Sequence, residues 1–365
     1  MNWYNIKNID TIDSPALLLY KERIQQNIDH AINMIKDVEL LRPHVKTNKT
    51  SEVCAMMMAA GITKFKCATI AEAEMLAMLN AKDVLLAYQP VGPKAKRLLS
   101  LVQQYPQSIF GCVVDNIDTT KALSDLFTAN NITINIFIDL NTGMNRSGVK
   151  PSNAFGLAEQ LISLSGIQFR GLHAYDGHLR DTDLELRQQK SNTAFDEVLT
   201  LATQIEKLTN KPTTIIAGGS PTFPTHIKRN IECSPGTFVY WDWGYKHQVP
   251  DEPFDYAALV LTRVISIIDE QTITTDLGHK SVAAENPLPR VHFLNAPNAI
   301  PYSQSEEHLV LKVADSNTFK VGDVLYGVPV HICPTVALYD KAVVVENNEA
   351  ITTWKVVARD RAINV

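Results

Sequence analysis

Between Pro15 and about Tyr240, short aliphatic and β-branched runs alternate with stretches in which apolar residues return every three or four positions. Runs too short for helices, set between amphipathic helical patterns, predict parallel strands joined by helices. The runs are PALLLY (15–20), LLRPHVK (40–46), FKCAT (65–69), DVLLAY (83–88), FGCVVD (110–115), INIFIDL (134–140), FRGLHAY (169–175) and TTIIAGG (213–219). Eight such strands close a β/α barrel, so the predicted fold is an α/β (β/α)8 TIM-type barrel over residues 12–245. Thr69-Ile70-Ala71-Glu72 has the form of a capping box ahead of Ala73, Leu76, Ala77 and Leu79, and predicts a helix start there.

After about residue 245 the helical period disappears. ALVLTRVISII, QTITTD, HLVLKVA, DVLYGVPVHI, AVVVENN and AITTWKVVA read as strands of a C-terminal all-β domain, residues 246–365, which residues 1–11 are free to join. Asn286 to Gln304, with four prolines and little periodicity, is predicted to be a long loop.

Composition narrows the function classes. The 365 residues are 45% hydrophobic and 20% charged, with 34 Lys and Arg against 39 Asp and Glu for a formal charge of −5. Scattered basic residues in an acidic chain offer no stripe for a phosphate backbone or an anionic membrane. The start lacks the charged-then-apolar layout of a signal peptide, and no run reaches the length of a spanning helix, so a cytoplasmic protein is expected. Cys54, Cys67, Cys112, Cys233 and Cys333 are odd in number and dispersed, which argues against a disulfide framework.

Strand ends and the loops after them are where a barrel places its chemistry. Lys46 falls at the end of a buried strand in RPHVKTNK, where desolvation favours a neutral amine able to form a Schiff base. Arg146, in DLNTGMNRSG, could pair its planar fork with a phenolate or carboxylate. GLHAYDGH sets His173, Tyr175 and His178 at another strand end. AGGSPT and SPGT bring Gly219, Ser220, Gly236 and Thr237 into loops whose backbone N–H groups could hold a phosphate. In PVHICPT, an extended backbone would put His331 and Cys333 on one face, a soft pair suited to zinc. Two ligands would leave positions for water or substrate, as in a catalytic site.

In this order along the chain, DSPALLLY, RPHVKTNK, CATIAEAE, IDLNTGMNRSGV, GLHAYDGH, AGGSPTFPT, SPGTFVYWD, DLGHK, SEEH, HICPT and AITTWKVVARDR resemble the D-serine dehydratase and D-threonine aldolase family of pyridoxal-phosphate enzymes, with its alanine racemase-like (fold type III) architecture. The resemblance runs from about residue 12 to the carboxyl end. It implies that Lys46 carries pyridoxal 5'-phosphate covalently and takes the proton from Cα, that Arg146 stands near the phenolic oxygen, and that Tyr175 contacts the ring. Gly219, Ser220, Gly236 and Thr237 match the phosphate cradle. His331 and Cys333 look like the zinc pair of the dehydratases, where aldolases more often show an aspartate at the second position.

Two positions depart from the pattern. Asn48 stands where the family usually has a histidine, and Ser234 where related racemases place an arginine against the pyridine nitrogen. The implied activity is a lyase acting on a β-hydroxy-D-amino acid, expelling the β-oxygen to leave a keto acid and ammonia. The alternatives are retro-aldol cleavage to glycine and an aldehyde, racemisation, or a cofactor carrier without turnover. A homodimer is expected of this fold.

Overall fold

The computed structural model describes residues 2–365. Its strands are β1 (Ala16–Tyr20), β2 (Lys64–Cys67), β3 (Asp83–Leu86), β4 (Ile109–Val114), β5 (Ile134–Leu140), β6 (Ile167–Ala174), β7 (Thr214–Ala217), β8 (Glu232–Cys233), β9 (Ala258–Asp269), β10 (Thr272–Thr275), β11 (Val291–Phe293), β12 (Ile300–Gln304), β13 (Leu309–Lys312), β14 (Val324–Pro329), β15 (Lys341–Glu346) and β16 (Glu349–Lys355). Two compact units emerge. The barrel unit comprises Ala31–Lys46, Cys54–Gly236 and Asp360–Val365; the β unit comprises residues up to His30, Thr47–Val53 and Thr237–Arg359. The texture of the sequence suggested a single break near 245, whereas the chain leaves the barrel unit after Lys46 and again after Gly236.

In the barrel unit β2 to β8 pair in parallel in sequence order, with helices such as Ile70–Met78, Pro93–Gln104 and Leu184–Thr209 between them. Seven strands do not make a ring. The eighth position is filled by residues 41–45, predicted as a full strand but joined to its neighbours only by bridges, Leu41 to Cys233 and His44 to Lys66. The N–H groups of Arg42 and His44 donate to the carbonyls of Cys233 and Pro235, and that of Val45 to Lys66. Pro43, which has no N–H, accepts from Lys66 but cannot donate on that side, so the ladder is interrupted where a strand would continue.

PALLLY, expected as the first barrel strand, is β1 of the other sheet, antiparallel to β9 and parallel to β15. A strand buried on both sides reads as one apolar run in either sheet, so its composition did not say which it would join. The barrel strand missing from the count is β8, two residues long and too short to leave a pattern.

The predicted capping box forms in part as expected. Thr69 Oγ1 accepts from the Glu72 N–H at 3.1 Å, while the buried Glu72 carboxylate reaches the N–H of Ala68, one residue before the cap, at 2.6 Å.

The β unit is a mainly antiparallel sheet ordered β12-β13-β10-β9-β1-β15-β16, with β14 paired to β9 and β11. Tyr4, Ile6, Leu18, Tyr20, Leu259, Leu261, Tyr326 and Val345 form one of its cores, so the amino-terminal residues belong to it. Asn286 to Gln304, expected as a long loop, holds β11 and β12. Pro301 is tolerated there because β12 lies at the sheet edge and its register shifts between Pro301 and Ser303.

Ring closure rests on charge as well as on the ladder. The almost fully buried Arg42 guanidinium meets Asp83 through two bonds, of 2.7 and 3.1 Å, and Glu232 through Nε at 2.6 Å. Lys64 Nζ reaches the other oxygen of Glu232 at 2.9 Å. Desolvation opposes the buried Arg42 cation, but its two carboxylate partners outweigh that and hold it protonated. Arg42→Met would leave Glu232, with 8% of its side chain exposed, short of a partner. The expected loss is about 3–5 kcal/mol in urea unfolding at pH 7; a variant unfolding at the wild-type midpoint would refute the clamp.

Candidate active site

Pairing registers put Lys66, Leu85, Val113, Phe137, Asp139, His173, Ile216 and Glu232 on one face of the parallel sheet, which lines the barrel. A register shift beside Phe137 sets that parity in β6, where a Cβ on Gly171 would lie 1.9 Å from the Thr214 carbonyl oxygen. Glycine there lets the backbones close up, and the bulge turns His173 inward. The interior is layered. Arg42, Lys64, Asp83 and Glu232 occupy the strand starts, Leu85, Val113, Phe137 and Ile216 form an apolar cluster, and Asp139 and His173 follow near the carboxyl ends.

Lys46 follows directly on the buried segment Leu41–Val45 and lines a cavity of about 560 Å³ together with His44, Tyr88, Asp139, Arg146 and Ser147. The Tyr175 ring is surrounded by cations: Lys46 Nζ is 5.8 Å from its centroid, Lys66 Nζ 5.5 Å and Arg146 Cζ 5.1 Å. The sequence singled out Lys46, Arg146, His173 and Tyr175, and the fold brings all four to one end of the barrel.

Lys66 was not singled out, although a lysine inside the apolar run FKCAT was the available signal. It is fully buried, and its pKa falls to about 7, first through desolvation and next through the charge of Lys46, against the pull of Asp139 and Asp176. Its Nζ lies 3.5 Å from His173 Nε2. His173 Nδ1 is 2.7 Å from Asp139 Oδ1, and the Ser147 hydroxyl donates to the other Asp139 oxygen at 2.9 Å. Burial lowers the His173 pKa despite Asp139, and Asp139, which burial alone would raise, is held below the usual carboxylate range by that histidine bond. The pair is therefore neutral imidazole and carboxylate, with Nδ1–H donating and Nε2 open to the lysine.

The loop after β7 forms the next wall. Gly218 has φ +75°, and a Cβ on it would meet His226 at 2.6 Å; one on Gly219 would meet the Tyr175 ring at 3.0 Å. Ser220 is buried, and its hydroxyl has no hydrogen-bond partner among the described residues. Behind this loop the buried Asp176 accepts from Thr222 Oγ1 at 2.6 Å and pairs with His226 Nε2 at 2.8 Å. Gly236 ends this stretch of the barrel unit, while Thr237 opens the β unit, where its hydroxyl lies 3.4 Å from Cys333 Sγ.

In the β unit His331 is the extended cap of the helix Ile332–Val336, and Cys333 lies in its first turn. The segment is thus not extended throughout, as the sequence suggested, because Pro334 suits a helical first turn. The two side chains still meet through a hydrogen bond, which with Asp242 and Glu285 outweighs burial and pushes the His331 pKa up to about 9. Thr47 Oγ1 lies 3.1 Å from Cys333 Sγ. Among the described residues no cluster of three or more His, Cys, Asp or Glu is placed to hold a metal, so His331 and Cys333 stand as a pair. Asn48 accepts from the Thr50 N–H through its side chain at 3.1 Å, forming a turn before the helix Ser51–Ala59. Ser234 is buried with its hydroxyl unpartnered among the described residues. Cys54, Cys67, Cys112 and Cys233 are buried and form no disulfide, and no helix is long and apolar enough to cross a membrane among the described residues.

Residues 20–242 match the family model of the alanine racemase N-terminal domain, and residues 257–345 match a serine dehydratase domain. A D-threonine aldolase of Arthrobacter sp is 26% identical over 359 residues, covering 95% of this chain and 93% of the aldolase. A D-threo-3-hydroxyaspartate dehydratase of Delftia sp. (strain HT23) is 22% identical, covering 94% of this chain and 97% of the dehydratase. The solved structure of D-threonine aldolase from Filomicrobium marinum superposes with a TM-score of 0.90 at 26% identity, over 98% of both chains. A cysteine-to-alanine variant of D-threo-3-hydroxyaspartate dehydratase, in a metal-free form, superposes with a TM-score of 0.82 at 20% identity, over 94% of this chain and 97% of that one.

The depressed pKa of Lys66 has a consequence for stability. Between about pH 7 and pH 10 the unfolded chain keeps a proton on this lysine that the folded chain has released, so stability rises with pH across that window. Lys66→Met removes the buried amine, and its melting midpoint is expected above wild type at pH 7, with the gap narrowing by pH 9.5. Parallel curves at both pH values would show that Lys66 keeps an ordinary pKa.

Proposed function

Because the chain belongs to the alanine racemase N-terminal domain family, we propose that it is a pyridoxal-phosphate-dependent lyase acting on a β-hydroxy-D-amino acid, with a metal at His331 and Cys333. The observation that carries this reading is that thiol and imidazole pair, hydrogen-bonded to each other in a domain that a cofactor carrier would not need.

The residues present fit the cofactor. Ser220 has a buried hydroxyl with no described partner, which a phosphate would accept from, and a side chain at Gly219 would fill the space against Tyr175. Lys46 would hold it covalently in the cavity of about 560 Å³, with Arg146 and Tyr175 at the ring and Gly219, Ser220, Gly236 and Thr237 toward the phosphate. Imidazole and thiolate likewise suit zinc and leave positions for substrate. When bound, the cofactor supplies an electron sink and the metal a Lewis acid for the β-oxygen.

The chain's own residues do the rest. Lys46 follows a segment held by Arg42 and lines the cavity, where its amine takes the proton from Cα. The Ser220 hydroxyl and the Gly219 backbone position the phosphate end, and the Tyr175 ring offers a flat apolar face. With Cα deprotonated, departure of the β-oxygen leaves an enamine that hydrolyses to a keto acid and ammonia. Cys333, where aldolases more often have aspartate, favours this elimination. A second reading, retro-aldol cleavage to glycine and an aldehyde, is favoured by the higher identity to D-threonine aldolase, 26% against 22% for the dehydratase. The working form is read as a cytoplasmic homodimer, for which sedimentation as a monomer would be a disproof.

The protein supplied with pyridoxal phosphate and zinc is expected to convert D-serine, D-threonine or 3-hydroxy-D-aspartate to keto acid and ammonia in equal amounts. Glycine with an aldehyde would replace elimination by the aldol reading, and release of neither would defeat the lyase assignment. Lys46→Ala is expected to lose at least about 10²-fold in turnover and all cofactor absorbance fixed to the chain by borohydride.

A further inference from the structure

Glu285 lies on the stretch between β10 and β11, and its Oε1 is 2.6 Å from His331 Nδ1. A carboxylate accepts only, so Nδ1 carries a proton, and Nε2 is the nitrogen left for a ligand once the ring gives up its other proton. Nearby Asp242 accepts from the backbone, at Oδ1 from the Tyr245 N–H at 2.9 Å and at Oδ2 from the Ile332 N–H at 3.1 Å. Glu285 is the carboxylate hydrogen-bonded to the imidazole. The loop that bears it is tied to the same helix, because Thr335 Oγ1 accepts from the Ala283 N–H at 3.1 Å and donates to the His331 carbonyl at 2.8 Å. One threonine therefore fixes both the backbone of His331 and the chain two residues before Glu285.

We propose that Glu285 is a positioning residue for a divalent metal on His331 and Cys333: by holding Nδ1–H it fixes the tautomer and ring orientation that present Nε2 as the ligand atom. Such partners also raise the basicity of the ligating nitrogen. The inference rests on the metal reading proposed above and adds a residue to it.

Its test reads metal binding rather than turnover. The full chain, stripped by chelation, is titrated with zinc against a chromophoric competitor at pH 7.5, beside Glu285→Ala, Glu285→Gln and His331→Ala. Wild type is expected to bind one zinc, with affinity about 10- to 100-fold weaker in Glu285→Ala. Glu285→Gln, whose amide oxygen can still accept from Nδ1–H, should recover part of the loss, which a merely structural role would not predict. Nitrogen-15 spectra of the zinc form should show a protonated Nδ1 in wild type. If Glu285→Ala binds as tightly as wild type while His331→Ala does not, this inference falls and the metal reading stands. If wild type binds no more tightly than His331→Ala, both fall.

Discussion

Arg42 holds the barrel shut. The closing segment has a proline where a strand would donate to β2, and its regular pairing reduces to two bridges. A buried guanidinium with Asp83 on one side and Glu232 on the other supplies what the ladder lacks, because Glu232 belongs to β8, which the segment joins, and Asp83 to β3, the strand beyond its other neighbour β2. A lone charge in that place would be strongly unfavourable; a forked cation between two carboxylates is tolerable because every charge has a partner with good geometry. Four residues further on is Lys46, so the same cluster that closes the ring sets where that lysine leaves the segment.

Lys66 meets the opposite treatment inside the same barrel. Among the described residues no carboxylate pairs with it directly; its partner is the Nε2 of a histidine whose other nitrogen is taken by Asp139, and the result is an amine shifted toward neutrality instead of an ion pair. The contrast follows from side-chain chemistry: a guanidinium does not give up its proton and must be paired, whereas an ammonium can release it. The barrel thus has a charged, fully paired layer at its strand starts and a less paired, titratable layer toward the site. Stability is concentrated in the first and chemical responsiveness in the second.

How much of this was legible varied with how local the cause was. Lys46, Arg146, His173 and Tyr175 stand at strand ends that periodicity locates, so their meeting at one end of the barrel was readable. Eight parallel strands were expected, whereas the sheet has seven, β2 to β8, with the bridged residues 41–45 in the eighth place. β1 has the apolar run of a buried strand but pairs with β9 and β15, and pairing partners are non-local, while the two residues of β8 leave no period at all. Lys66 was hidden because its neighbours made it look like an ordinary strand residue; only the register, which sets its face, reveals that it points into the barrel. The geometry of His331 and Cys333 turned on a short helix, Ile332–Val336, with Pro334 in its first turn, within what looked like an extended run.

The pair of His331 and Cys333 is tied to the barrel chain by covalent continuity rather than by composition. Thr47 and Thr237 are the first residues of the β unit after the chain leaves the barrel unit at Lys46 and at Gly236. Both hydroxyls lie on one sulfur, at 3.1 and 3.4 Å. The residues immediately before these threonines are the cofactor lysine and a glycine of the phosphate cradle, as the resemblance assigns them. A substitution at either crossing therefore alters both the surroundings of the thiol and the backbone that presents Lys46 or Gly236, so neither threonine acts on one side of the crossing alone.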